Sequence, residues 1–159
     1  MKKIFNLMSI VLMLSLIVFA GCSGSDDSDP VDPPVELTPA QQQAALLVAE
    51  GATWTLAATD PVTVDGTPTT DWANFTLQFS GDENGGGFQT SNSAAPVVWP
   101  SSGTWTFAEG SVSQLVRNDG ITMTVNVTET DLTLSFEVED PGSGRTLGFG
   151  GSYIFKLGN

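Results

Sequence analysis

The chain has no histidine, one cysteine, and five lysines and arginines against eighteen aspartates and glutamates. Without histidine there is no Ser-His-Asp or Cys-His arrangement, no imidazole general base, and no ordinary His-ligated zinc or haem site. A single cysteine cannot form an internal disulfide, a CxxC redox pair or a four-thiolate metal centre. A formal net charge of −13 leaves few cations to displace counterions from phosphates, so a nucleic-acid partner is not expected. At 159 residues the chain has the length of one domain, within the usual span of about 100–200 residues.

What is present begins with an address. Met1-Lys2-Lys3 is a short basic start, followed by an apolar run from Leu7 to Ala20. A basic n-region, an apolar h-region and small residues after it describe a secretory signal peptide, and the run falls short of a spanning helix. The one cysteine closes this run in Phe19-Ala20-Gly21-Cys22. That tetrad resembles the lipobox of bacterial lipoproteins, with Phe19 where leucine is usual. The resemblance implies a diacylglyceryl group on the Cys22 thiol, cleavage between Gly21 and Cys22, and acylation of the new amino terminus, typically with palmitate. Residues 1–21 are then a signal peptide. Its removal takes Lys2 and Lys3 with it and leaves the exported chain more acidic still. Several acyl chains at about 0.8 kcal/mol per buried methylene make such an anchor effectively permanent.

Residues 22–37 read as the lipidated cysteine and an acidic tether. Ser23-Gly24-Ser25-Asp26-Asp27-Ser28-Asp29-Pro30 and the prolines after it offer almost nothing to a core,. A solvated spacer explains this composition. In addition, Ser25-Asp26-Asp27 beside the lipidated cysteine resembles the acidic export signal of Bacteroidota surface lipoproteins. That resemblance implies an outer-membrane location and exposure on the outer face of the cell.

Residues 38–159 carry the folding pattern. Thr38-Pro39-Ala40-Gln41 has a capping threonine, a proline at the first helical position and a glutamine placed for a capping box, and Gly51 is a stop,. One short amphipathic helix with Ala40, Ala44, Leu47 and Val48 on one face follows. The period then changes to two. Trp54 and Leu56, Phe75 to Phe79, Trp105 and Phe107, Met123 to Val127, Leu132 to Val138 and Tyr153 to Leu157 alternate with threonines and other polar residues. This is the pattern of antiparallel strands with one buried face. Asn118-Asp119-Gly120 reads as a tight hairpin, while residues 81–87 and 141–144 read as longer glycine-rich loops. With a strand at 112–117 leading into that hairpin and a short strand at 88–91, the count is about eight, in sequence-adjacent hairpins. The fold class is therefore all-β, an antiparallel meander closed as a barrel to remove its edges. A two-sheet sandwich remains the alternative, because alternation alone does not separate the two.

A helix, then Gly51-Ala52-Thr53-Trp54 opening the first strand, then an eight-strand meander resembles the lipocalin-like domains of Bacteroidota lipoproteins. The opening has one residue more than the lipocalin G-x-W signature. Gly103-Thr104-Trp105 fits the signature by letter but lies mid-chain. The stretch from Val98 to Phe107 is similar to a segment found in lipoproteins of that group. The resemblance implies a β-barrel over residues 38–159.

Candidate chemistry is sparse. Asp82-Glu83-Asn84-Gly85 resembles the start of a calcium loop, but the twelfth position, where an EF-hand needs glutamate, is Ser93,. A solvated hairpin is the simpler reading, and no metal or other cofactor is expected. Glu137 and Glu139 share one strand face, which places both on the polar exterior rather than across a glycosidic bond. No nucleophile motif such as G-x-S-x-G occurs. The expectation is a protein that is not an enzyme. Trp54 and Trp105 share parity with apolar neighbours and belong to the core. Trp72 and Trp99 are candidate ligand-binding residues, either as rim aromatics that stack on a sugar face or as plugs of the barrel ends. Arg145, beside a glycine-rich loop, is a third candidate, for an anionic group.

Two functions are open for a barrel at this point, and a sandwich would add a third, an adhesin domain. One is a lipid-anchored accessory or interaction protein of the envelope with a filled barrel and a protein partner. The other is a binding module for a small apolar or glycan ligand at the barrel mouth. Large inward aromatics such as Phe75, Phe79, Trp105, Phe136 and Phe155 use up interior volume and favour the first. A cavity above about 300 Å³ lined by Trp72 or Trp99 would favour the second.

Overall fold

The structure, a computed structural model, describes residues 36–139 and 148–159. The segment expected to be a signal peptide, Gly21 and Cys22, most of the expected tether and Arg145 lie outside the described residues. Helix α1 spans Pro39–Val48 and opens with the expected capping box, Thr38 and Gln41 satisfying each other's backbone N–H groups. A turn of 3-10 helix, Ala49–Gly51, ends it.

The alternating residues then form strands β1 (Trp54–Leu56), β2 (Val62–Val64), β3 (Thr67–Pro68), β4 (Thr76–Asp82), β5 (Gly85–Ser91), β6 (Ser102–Phe107), β7 (Gln114–Arg117), β8 (Thr122–Val127), β9 (Asp131–Val138) and β10 (Gly151–Gly158). Every pairing is antiparallel. The order is β1-β4-β5-β6-β7-β8-β9-β10, and β1 also pairs with β10. That last pairing closes eight strands into an up-and-down barrel, so the structure is a barrel and not a sandwich. Burial alternates as the sequence predicts: Met123, Val125 and Val127 point in on β8, and Leu132, Leu134, Phe136 and Val138 point in on β9.

Two segments differ from the sequence reading. The stretch 81–87 is not a long loop. Strands β4 and β5 run on to a two-residue connection, Glu83-Asn84, with Asp82 opposite Gly85. The glycines there serve close approach, since a Cβ on Gly86 would overlap the Ser80 carbonyl oxygen. The second difference is the β2–β3 hairpin, which periodicity does not reveal. It turns at Asp65 (φ 50°) and Gly66 (φ 77°), the paired positive φ of a type I′ turn,. Asp65 also accepts a hydrogen bond from the Ser152 backbone N–H at 2.8 Å.

Strands β1 and β2 share one edge of β10. Leu56 faces Leu157 and Val62 faces Phe155. Six steps on one side against two on the other leave an even excess, so the inward parity survives the interruption. Trp54 and Val62 are accordingly both fully buried.

Both mouths of the barrel are covered. At one end α1 touches β4 and β8, which stand diametrically opposite in the ring of eight. The helix therefore lies across that mouth. Leu47 enters the core, and the Leu47 carbonyl accepts the Trp54 indole N–H at 3.0 Å. The other mouth carries the β5–β6 connection, residues 92–101, and the tight β7–β8 turn.

Candidate functional site

The second mouth is built around Trp99. This residue sits in an irregular loop, yet it is fully buried. The Trp99 ring meets Phe75, Phe88, Phe136 and Phe155 at centroid distances of 5.6–6.0 Å. These partners come from β5, β9, β10 and the residue preceding β4, so the ring stands near the barrel axis. Local hydrogen bonds hold the loop over it. The Trp99 N–H donates to the Ala95 carbonyl at 2.9 Å, and Ser93 Oγ donates to the Trp99 carbonyl at 2.6 Å. Thr90 Oγ1 donates to the Pro100 carbonyl at 2.9 Å. Among the described residues the indole N–H of Trp99 has no partner.

Beneath the loop lies Arg117, the one buried charged residue among the described residues. Leu115 and Arg117 share the inward face of β7. The guanidinium carbon is 4.8 Å from the Trp99 ring centroid, and the rings of Phe88 and Phe136 lie at 5.8 and 5.9 Å. Nη1 donates to the Val98 carbonyl at 2.7 Å. Nε donates to Asp119 Oδ1 at 3.1 Å, and Nη2 binds Asp119 Oδ2. A planar fork can make all of these bonds while its face rests on an aromatic ring, which an ammonium cannot do. Asp119 belongs to the predicted Asn118-Asp119-Gly120 hairpin, and its Oδ1 also accepts from the Ile121 N–H at 3.3 Å. Partial burial pushes the Asp119 carboxyl upward. The hydrogen bonds and charge of Arg117, with backbone donors, outweigh this and hold it below the ordinary aspartate range.

Three surface recesses stand out. The largest, about 980 Å³, opens above this assembly between the 92–101 loop and the ends of β7, β8 and β9. Pro96, Val97, Pro100, Ile121 and Val138 supply its apolar walls, and Asp119, Glu137 and Glu139 its carboxylates. A second recess of about 420 Å³ runs beside the helix end between Val48 and Gln89. The third, about 270 Å³, lies beside the β2–β3 hairpin and includes Trp72 and Tyr153. None of the three is lined by Trp54, Phe75, Trp99 or Phe155.

The sequence-predicted residues fall as follows. Trp99 is buried under the cap. Trp72 is 3% exposed and packs edge-on against Phe155, Phe75 and Tyr153 at 4.9, 5.5 and 6.4 Å. Both rings fill the end of the barrel, and only Trp72 reaches a recess. Arg145, Gly21 and Cys22 lie outside the described residues. Glu137 and Glu139 are exposed, as alternation requires, and both border the largest recess. Asp82-Glu83-Asn84-Gly85 forms the β4–β5 turn, with Asp82 Oδ1 accepting the Asn84 N–H at 2.8 Å. Sequence reasoning missed the Arg117–Asp119 pair. The signal was the shared parity of Leu115 and Arg117 two residues before a turn aspartate. Tyr153 donates its hydroxyl to the Phe149 carbonyl at 2.9 Å, and burial, then the charges of Asp65 and Asp71, push its pKa up.

Among the described residues no group of three or more acidic or cysteine side chains is placed to hold a metal, and no helix is long and apolar enough to cross a membrane. No protein-family model matches this chain, and no curated protein or solved structure matches it either.

Proposed function

We propose that this chain is a lipid-anchored, non-catalytic envelope protein whose barrel acts through its outer surface, as an accessory or interaction module. The observation that carries this reading is the filled interior. Trp54, Phe75, Trp99, Trp105 and Phe155 are all at most 1% exposed and belong to one continuous core. An eight-stranded barrel has room for packed side chains or for one small ligand, and here the side chains take the space. With both mouths covered, what remains for recognition is the exterior. Anchorage through Cys22, at the outer membrane and on its outer face, belongs to the same proposal and rests on Phe19-Ala20-Gly21-Cys22 and Ser25-Asp26-Asp27.

Chemical crosslinking of intact envelope, followed by mass spectrometry of the proteins and lipids that purify with the chain, tests the interaction reading. A crosslinked protein partner with no stoichiometric small molecule is the expected result. A co-purified small molecule without a protein overturns it in favour of a carrier. The carrier reading has one observation in its favour, the recess of about 270 Å³ at Trp72 and Tyr153. Anchorage is tested separately by labelling with an alkyne fatty acid, where incorporation that survives Cys22→Ala refutes it. Protease shaving of whole cells tests the outer face, and full protection refutes it.

A further inference from the structure

The groove of about 980 Å³ at the Trp99 mouth combines features that together specify an occupant. Its apolar lining is Pro96, Val97, Pro100, Ile121 and Val138. Val97 is 49% exposed, one of two large apolar side chains so exposed among the described residues. Its carboxylates are Asp119, Glu137 and Glu139, and among the described residues no lysine or arginine lines the groove. The buried Arg117 beside it is already paired with Asp119. The loop that presents Val97 is fixed from underneath, because Arg117 holds the Val98 carbonyl and Trp99 is locked among four phenylalanines. A wall held in this way loses little conformational freedom on binding.

We infer that this groove is the interaction surface, and that it takes a short segment of a partner protein in which apolar residues are flanked by lysine or arginine. The inference rests on the interaction reading above and names its site and partner chemistry. Charge complementarity selects the occupant. An apolar anchor fits against Val97 and Ile121 while flanking cations face Glu137 and Glu139. A second copy of this chain brings a net charge of −13 to an acidic wall, and the chain's own aspartate-rich tether meets the same repulsion. An open groove also leaves much of a small ligand in water, whereas small-molecule sites enclose most of theirs.

The probe is a fluorescein-labelled peptide, KKLAPLKK, titrated by fluorescence anisotropy against the full chain in nonionic detergent, with EELAPLEE as its charge-reversed counterpart. Saturable binding of the basic peptide alone is expected, weakening as salt is raised. Val97→Gln and the pair Glu137→Gln/Glu139→Gln are each expected to weaken it about tenfold. The pair Glu109→Gln/Glu129→Gln removes the same charge from turns at the other mouth and is expected to change nothing. All five substituted positions are exposed, so folding is retained, and circular dichroism confirms it. Absence of saturable binding, equal binding of the acidic peptide, or equal weakening by the distant pair overturns the inference. So does a dimer in light scattering that Val97→Gln dissolves, which would make the occupant a second copy. A protein crosslinked in the envelope with no peptide binding at the groove leaves the interaction reading standing and overturns only this site.

Discussion

The Arg117 guanidinium lies against the Trp99 ring, 4.8 Å from its centroid, and this contact joins the cap of the barrel to the turn beside it. One side chain holds the Val98 carbonyl of the cap and the Asp119 carboxylate of the β7–β8 turn. A desolvated cation on an indole face is worth about 2 kcal/mol, and the hydrogen bonds keep the charge from being orphaned. Cap and turn therefore move as one unit, and the groove between them has a fixed shape.

Arg117→Met tests that unit. It leaves the Val98 carbonyl and Asp119 without their donor, and removing one partner of a buried pair costs about 3–5 kcal/mol. Asp119 is 37% exposed and water recovers part of its loss, so the expected cost is near the lower bound, about 3 kcal/mol by urea unfolding. Arg117→Lys keeps the charge but not the fork and is expected to fall between wild type and methionine. A neutral Arg117→Met would show that the cap stands without its cation.

Acid stability follows from the same pair. The Asp119 pKa is lowered from 3.8 in the folded state, so the folded protein binds its proton less readily than the unfolded chain. The stabilisation is present above the unfolded value and is lost as pH falls through the folded one. The stability difference between wild type and Asp119→Asn is therefore expected to be constant above about pH 5 and to shrink below it. Urea midpoints of both proteins from pH 7 down to pH 3 measure this, and parallel curves throughout would rule it out.

The alternation of apolar residues with polar ones was enough to read six of the eight barrel strands, because a strand with one wet face leaves that trace in every second residue. The sequences of β5 and β7 show no such alternation. Three features left weaker traces. The β2–β3 hairpin has strands of three and two residues, too short to show a period, although Asp65-Gly66 is a turn signal. Trp99 lies in a loop without periodicity, and only the three-dimensional path of residues 92–101 carries it to the axis. Arg117 was visible by parity, but a charged residue facing inward reads as an error in the pattern until its partners are known. The groove was not legible at all. It is formed by Val97, Ile121 and Glu137, which stand far apart in the chain, and the path of the 92–101 loop over the paired ends of β8 and β9 brings them together.

The tryptophans separate by their indole nitrogens. Trp54 donates to the Leu47 carbonyl at 3.0 Å, and Trp105 donates to the Gly87 and Ser80 carbonyls at 3.1 and 3.2 Å. The Trp99 indole has no acceptor among the described residues. Replacement by phenylalanine loses ring volume at all three positions. At Trp54 and Trp105 it also strands buried acceptors, which adds about 1 kcal/mol. Trp99→Phe is therefore expected to be the mildest of the three, while Trp99→Ala, which empties the centre of the mouth, costs about 3–5 kcal/mol. Thermal or urea unfolding of the series gives the ranking. A Trp99→Phe more damaging than Trp54→Phe would mean that the Trp99 N–H has a partner.

Gly103 gives the last test, because its strand passes directly under an aromatic ring. A Cβ built there would stand 2.6 Å from Cε1 and Cζ of Phe88 and 2.5 Å from Oδ1 of Asn118. That oxygen accepts the Thr104 N–H at 3.1 Å, so the added methyl would strain both the core and the turn that flanks the groove. Overpacking of this kind costs about 1–3 kcal/mol, and Gly103→Ala is expected to lie in that range. Phe88→Leu alone is also destabilising, since Phe88 is 2% exposed and packs on Trp99. In the double variant the smaller side chain makes room for the methyl. The two costs should then fail to add, with a favourable coupling of at least about 0.5 kcal/mol. Strict additivity across the cycle would show that the Phe88 ring is not what requires glycine at position 103, and would leave the Asn118 contact as the cause.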